Sequence, residues 1–383
     1  VEGTAERIVK IEGFTVACDM PHAAGNALRT FTRRSSLLLR LTTAGGLSGW
    51  GESWAFPDAS GAFIRKMLAP AVLGASVTNP RKLHAEMLRR VIPDRRGQAH
   101  MAISAIDLAA WDALGRALQR PIHALLGGAL RDSVTIYASG PLLPAGADRY
   151  EGFRTAVEGY AKAGFSAVKI RVASEMRAGE AAIRQAREIL GPDRQLMIDL
   201  NEGSTFHDAL TLAHRVADMD LRWIEEPLRH DDLPAYRALA ERMPVPLAGG
   251  ESFCGVEAFR DPVAQRTLDI LQPDLALCGG FTEALRISGL ASAFGVPVIP
   301  HVWGSAINVL AALQFCATIA HPDGGRPLPL LEFDASYNPL RSVLLDPKPS
   351  SDGTIAVPDG PGLGMEIEID RLAQYVTDHW VVE

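Results

Sequence analysis

A chain of 383 residues and 41.2 kDa, 47% hydrophobic and 22% charged, has a globular composition that excludes disorder as its main state. Its 38 basic and 45 acidic residues give a net charge of −7 and a pI near 5.8, which excludes the basic footprint of a nucleic-acid binder. No apolar run approaches the roughly 20 residues of a membrane span, and the start VEGTAERIVK has no apolar leader core, so no membrane partner and a cytoplasmic location are expected.

The first residues read as strands and turns. Segments 8–16 and 36–41 are β-like, and Gly45 and Gly46 mark a hairpin-type break. Two polar stretches, 19–34 and 52–61, read as irregular loops, the kind of segment that carries binding residues on a rigid scaffold. From 61 to 128 the pattern turns helical. Its longest helix is expected over 100–118, stopped before Pro121. Cys18, Cys254, Cys278 and Cys316 include no CxxC pair and read as reduced core or pocket-wall residues, neither disulfides nor zinc ligands.

After Arg131 short apolar runs alternate with helical stretches. The runs are 134–139, 167–172, 195–200, 222–227, 246–251, 270–275, 297–302 and 330–334, with starts 24 to 33 residues apart. One strand, one helix and two loops fill such a repeat, so eight of them point to a closed parallel α/β barrel. A doubly wound open sheet fits the same spacing. The turn-rich tail after Pro349 is too short for a domain and is expected to fold back onto the N-terminal half. The organisation expected is a cap over 1–130, a barrel over 131–348 and a tail over 349–383.

Acids fall at the ends of these runs. Asp199 closes LMID, Glu225 closes RWIE and Glu251 closes PLAGGE, successive acids standing 26 positions apart. In a parallel barrel the C-terminal strand ends converge on one mouth. Three carboxylates brought together there repel unless a cation joins them, and all-oxygen ligands select a hard ion, Mg²⁺ or Mn²⁺. Lys169 and Arg171 alternate onto one face of the second run, expected to be the interior. Desolvation would pull a buried Lys169 down toward base duty. Asp274 near the end of run six and His301 near the end of run seven suit a carboxylate–imidazole dyad. Glu332 in run eight is a candidate hydrogen-bond donor or acid. In the two polar stretches, His22, Asn26, Arg29, Arg33, Trp54 and Asp58 suit a polyhydroxy acid or diacid better than an aromatic ring. Other motifs carry less. Glycines between 360 and 364 lack the strand–helix context of a nucleotide loop, Gly279 and Gly280 read as a tight turn, Ser252 lacks a nucleophile elbow, and Trp111 reads as core.

At this point the chain resembles the enolase superfamily, and within it the mandelate racemase subgroup. The residues that carry the resemblance are AISAIDLAAWDALGR over 102–116 with Pro121 and LLG at 125–127, then DLN at 199–201 through IEEP at 224–227. Segments DILQPD (269–274), PHVWG (300–304), EFD (332–334) and PDGPGLG (358–364) look like acid-sugar dehydratases and galactarolactone cycloisomerases of the subgroup. The resemblance implies a (β/α)₇β barrel of TIM type under an α+β capping domain built from the N-terminal region and the C-terminal tail. It implies Asp199, Glu225 and Glu251 as Mg²⁺ ligands, the Asp274–His301 pair on one face of the substrate, and Glu332 against a substrate carboxylate oxygen. It implies His22, Arg29, Trp54, Asn201 and Trp303 as substrate-binding residues, and a homo-oligomer. Superfamily members pair a Lys or His base with magnesium. The subgroup's second-strand lysine pair is here Lys169 and Arg171, and a guanidinium stays protonated and makes a poor base. Racemisation, which needs a base on each face, is therefore disfavoured. The expected activity is dehydration of an aldonate or aldarate to a 2-keto-3-deoxy acid, His301 acting as base and then as acid. A lactone cycloisomerase and an inactive barrel with a binding role are the alternatives.

Overall fold

Two sheets organise the chain in the computed structural model, which describes residues 4–93, 96–320, 328 and 330–383. In the first sheet, β1 (Ile8–Gly25) and β2 (Thr30–Thr43) pair antiparallel from Ile8↔Thr43 to Gly25↔Thr30, with an irregularity between Asp19 and Ala24. Residues 19–34, expected as an irregular loop, therefore prolong the two strands into a hairpin. Strand pairing uses only the backbone, so a polar ribbon projecting beyond the core lacks the apolar alternation that would reveal it. Asn26 closes its tip, its Oδ1 accepting from the N–H groups of Leu28 (3.0 Å) and Arg29 (2.8 Å). The second stretch, 52–61, is also partly regular. It starts inside β3 (Ser48–Ser53) and enters a short helix, Pro57–Phe63.

β3 pairs with β2, and the C-terminal strand Val376–Val382 pairs antiparallel with β1. The end of the chain is thus a strand of the N-terminal sheet. Helix α1 (Gln98–Leu118) lies close on this sheet because β3 reads Gly-Trp-Gly. A Cβ at Gly51 would stand 1.9 Å from the Ala105 carbonyl oxygen, and one at Gly49 2.1 Å from that of Ala109. Ala102, Ala105, Ala109 and Ala113 form the matching small-residue face of α1 in a core shared with Ile11, Leu39 and Leu41.

The second sheet is parallel. It contains β4 (Ser133–Ser139), β5 (Ala167–Arg171), β6 (Gln195–Asp199), β7 (Leu221–Glu225), β8 (Leu247–Gly249) and β9 (Ile270–Leu271), each paired with its predecessor. The seventh run is held by single bridges, Leu271↔Val298 and Asp274↔His301, and forms no regular strand. β10 (Leu331–Asp334) pairs back onto β4, from Leu331↔Ile136 to Asp334↔Ser139. Helices separate all of these segments. They are Phe153–Lys162, Met176–Leu190, Phe206–Arg215, Leu233–Ala240, Gly255–Ala264, α2 (Gly280–Ala293) and α3 (Ala306–Cys316). The fold is a (β/α)₇β barrel of TIM type with an antiparallel cap.

Alternation along the strands sorts the side chains. Ile136, Ala138, Val168, Ile170, Leu196, Ile198 and Ile224 face the helices in the main core. Tyr137, Ala167, Met197, Trp223, Ala248, Ile270 and Ile299, one from each of the first seven runs, form a separate buried cluster inside the barrel. All four cysteines are buried. Among the described residues no helix is long and apolar enough to cross a membrane.

Candidate active site

Two residues beyond that apolar interior layer the barrel turns polar. Tyr137, Ala167, Met197, Trp223, Ile270 and Ile299 are followed at i+2 by Ser139, Lys169, Asp199, Glu225, Gln272 and His301. The alternation that fills the barrel bottom thus aims six polar side chains at one level near its mouth. Asp199 and Glu225 are the last residues of β6 and β7, and Glu251 stands two residues past the end of β8. Each offers an oxygen that lies within 4.8 Å of the others. Burial pushes all three carboxyl groups up, and their mutual repulsion adds to it, while Lys169 draws Asp199 and Glu225 back and His301 draws Glu251. Three oxygen donors under that repulsion fit a hard dication.

Neighbours orient these acids. Asn201 donates its N–H to Asp199 Oδ1 (2.8 Å) and its Nδ2 to Oδ2 (2.9 Å), so its contact in this structure is with the acid. Trp223 Nε1 (3.0 Å) and Gln272 Nε2 (2.5 Å) both donate to Glu225 Oε2. Neither was singled out from the sequence, although each could have been. Trp223 precedes Glu225 by two residues, Gln272 precedes Asp274 by two, and residues two apart share a strand face.

Lys169 departs from expectation. It is buried, but its Nζ meets Glu225 Oε1, Glu332 Oε1 at 2.9 Å and Asp199 Oδ2 at 3.7 Å. Burial alone would lower its pKa; the carboxylates of Glu225 and Glu332 overcome that and hold it well above the usual lysine value. Glu332 is corrected likewise. Burial favours its neutral form, yet Lys169 and His301 hold the carboxyl well below the usual range, and it accepts from Val302 N at 3.2 Å. It is therefore an ionised acceptor in this setting, where the sequence suggested a donor or acid.

His301 and Asp274 meet through the backbone bridge that joins their segments. The His301 Nδ1 lies 2.7 Å from Asp274 Oδ2, which leaves Nε2 facing the acids, 3.3 Å from Glu251 Oε2 and 3.9 Å from Glu332 Oε2. Burial would lower the imidazole, but Glu251, Glu332 and Asp274 together raise it to about 10. Asp274 also accepts from Ala276 N (2.8 Å), Asn308 Nδ2 (3.0 Å) and Trp54 Nε1 (2.9 Å).

One level higher, Arg171 is buried, with a long 3.5 Å hydrogen bond to Ser139 Oγ and its guanidinium 5.7 Å from the Trp303 ring centroid. Burial would lower its pKa, but the surrounding carboxylates, Asp199 and Glu332 foremost, raise it. Trp303 is half-buried between that group and Arg34, whose guanidinium lies 4.1 Å from the ring centroid. Arg34 also pairs with Asp334 Oδ2 (2.9 Å) and Ser336 Oγ (2.6 Å). The expected candidate, Arg33, is its exposed neighbour, and nothing in a single polar strand tells which of two adjacent arginines meets the barrel. His22 and Arg29 are exposed on the hairpin, without a hydrogen bond or ion pair to the acidic cluster among the described residues. Asp58 is exposed in the first turn of its helix. Glu226, beside Glu225, is buried with Oε1 lacking a hydrogen-bond partner among the described residues.

Residues 10–127 match the family profile described as mandelate racemase / muconate lactonizing enzyme, N-terminal domain, and residues 152–371 that described as enolase C-terminal domain-like. The chain is 37% identical over 356 residues to the D-galactarolactone cycloisomerase of Agrobacterium fabrum, covering 91% of this chain and 93% of that protein. It is 31% identical over 340 residues to the arabinonate dehydratase of Saccharolobus solfataricus, covering 88% and 89%. The crystal structure of the 3,6-anhydro-D-galactonate cycloisomerase from Zobellia galactanivorans superposes with a TM-score of 0.87 at 31% identity, over 97% of this chain and 100% of that one.

Proposed function

This chain belongs to the mandelate racemase / muconate lactonizing enzyme family of the enolase superfamily, and on that premise we propose that it removes the proton α to the carboxylate of an acid sugar and expels the β-oxygen. The observation that carries the reading is the aim of His301. Its Nδ1 is engaged by Asp274 at 2.7 Å, and its Nε2 faces Glu251 of the metal-fitting trio at 3.3 Å and Glu332 at 3.9 Å. Asp199, Glu225 and Glu251 would hold Mg²⁺, a fit supported by their all-oxygen donor set within 4.8 Å. Bound there, the ion would offset the charge that raises the imidazole pKa and stabilise the negative charge that builds on the substrate carboxylate.

The chain's own groups then have distinct tasks. His301 Nε2 takes the α-proton, and the C–H electron pair moves into the carboxylate as an enediolate. Asp274 stabilises the imidazolium and keeps its tautomer. The same imidazolium returns the proton to the β-hydroxyl as the C–O bond breaks and water leaves, a syn elimination. The enol left behind tautomerises to a 2-keto-3-deoxy acid. Arg171 offers donors to substrate oxygens and, being protonated, cannot serve as a second base. Lys169, held by Glu225 and Glu332, acts as a buried cation. Neither supports racemisation.

A second reading is favoured by the 37% likeness to a lactone cycloisomerase. In a cyclic acid sugar whose β-oxygen lies in the ring, the same two proton transfers open the ring and no water is lost. A panel of mono- and diacid sugars and their lactones, incubated with Mg²⁺, separates the outcomes. Semicarbazide-reactive keto acid from an open-chain member supports dehydration, and its appearance only from cyclic members supports cycloisomerisation. No keto acid and no α-deuterium from any member, with metal bound, would contradict both.

A further inference from the structure

The cap reaches the His301–Asp274 pair through two side chains. Glu52, near the end of β3, is fully buried. Its Oε1 accepts from Ser36 Oγ and Ser305 N, both at 2.6 Å, and its Oε2 from Ser305 Oγ (2.6 Å) and Asn308 N (3.0 Å). Three of these four donors belong to the start of α3, where Ser305 also caps the helix by accepting from Ile307 N at 3.2 Å. Asn308 passes the restraint on, donating Nδ2 to Asp274 Oδ1 at 3.0 Å and to the Trp303 carbonyl at 2.9 Å. Trp54, two residues after Glu52, acts directly through its indole N–H on Asp274 Oδ2 at 2.9 Å.

The barrel is shaped to admit both. Gly304 lies against them at φ 96°, and a Cβ there would stand 2.4 Å from Glu52 Oε1 and 3.0 Å from Trp54 Cβ. Asp274 is buried, and two of its four donors thus depend on the cap: Trp54 lies on it, and Asn308 is anchored by it. A buried carboxylate with all its acceptor positions engaged has one orientation, and it passes that orientation to the imidazole bound to it.

Resting on the reading of His301 and Asp274 as the acid–base pair, we propose that Trp54 and Glu52 are positioning residues: the docked cap holds Asp274 and thereby aims the His301 ring. Both act through Asp274, Trp54 directly and Glu52 by way of Asn308, and neither supplies the base. In Trp54→Phe the ring packing stays and one donor to Asp274 is lost. In Glu52→Gln one oxygen becomes an NH₂ group, so one backbone N–H at the start of α3 loses its acceptor whichever way the amide turns.

The test uses the full Mg²⁺-loaded chain labelled with ¹⁵N-histidine, so that it does not depend on knowing the substrate. The His301 Nδ1 proton, assigned by its loss in His301→Gln, is expected to exchange with water about tenfold faster or more in Trp54→Phe and in Glu52→Gln. Mg²⁺ affinity measured by calorimetry should stay within about twofold, because neither residue contacts the acids. With an acid sugar from the panel, kcat should fall about 10- to 100-fold at nearly constant KM. Adding Trp54→Phe to Asp274→Asn should then cost nothing further. Unchanged exchange in Trp54→Phe, a loss confined to KM, or an additive loss in the double variant would overturn the proposal. If no acid sugar is turned over, the proposed reaction fails while the exchange measurement still decides the positioning role. If Glu52→Gln does not fold, Trp54→Phe carries the test alone.

Discussion

At Lys169 desolvation and charge pull in opposite directions, and charge wins. A pair of unit charges at about 4 Å is worth roughly 4 kcal/mol at an effective dielectric of 20, and Lys169 has three carboxylate partners. Their sum outweighs the several kcal/mol of burial. That balance leaves His301 as the group whose Nε2 faces Glu251 and Glu332 and whose Nδ1 is anchored by Asp274. Replacing His301 by Asn should lower α-proton exchange about 10²- to 10⁴-fold, the usual range for a general base. Exchange in D₂O followed by proton NMR checks it, and an undiminished rate would transfer the role to another group. Arg171 has a different part in this account. Its long bond to Ser139 leaves its donors for substrate, and a lost charged hydrogen bond costs about 1.5–3 kcal/mol. Arg171→Met should therefore raise KM about 10- to 100-fold with a smaller change in kcat, read from initial-rate kinetics on the substrate that the panel yields.

At the scale of elements, α1 and α2 lock cap to barrel through Asp107. It accepts from Thr282 N at 3.0 Å and Thr282 Oγ1 at 2.6 Å, and burial pushes its carboxyl from 3.8 up to about 7. Between those values the folded chain keeps a proton that the unfolded chain has released. The group's contribution is whole below about pH 4 and is lost as pH rises through about 7. Relative to Asp107→Asn, the wild type should thus lose stability between about pH 4 and pH 7 and level off above that in urea denaturation. A pH-independent difference would contradict this. The same scale shows what a single sequence reveals. Acids at the ends of 195–200 and 222–227 were legible because alternation fixes which face a strand residue takes. The hairpin over 19–34 was not, because backbone pairing between polar strands leaves no hydrophobic period. Nor was the irregular seventh run, where two single bridges stand in for a ladder and still bring His301 to Asp274.

For the whole molecule, the readable part was the repeat, and the unreadable part was what crosses between cap and barrel. Glu52 meets Ser305 over 253 positions and Trp54 meets Asp274 over 220, distances at which no local pattern operates. Lys169's charge state was hidden for the same reason, since its three partners come from three other segments of the barrel. What all levels share is a single claim: the acids at 199, 225 and 251 grip a hard dication beside an imidazole that moves the α-proton. The most direct test is the rate of α-deuterium incorporation into an acid sugar by chelator-stripped protein, before and after Mg²⁺ is restored. The account predicts that stripping abolishes exchange and that Mg²⁺ returns it in the wild type, with no recovery in Glu225→Gln. Full exchange in the stripped protein would contradict it.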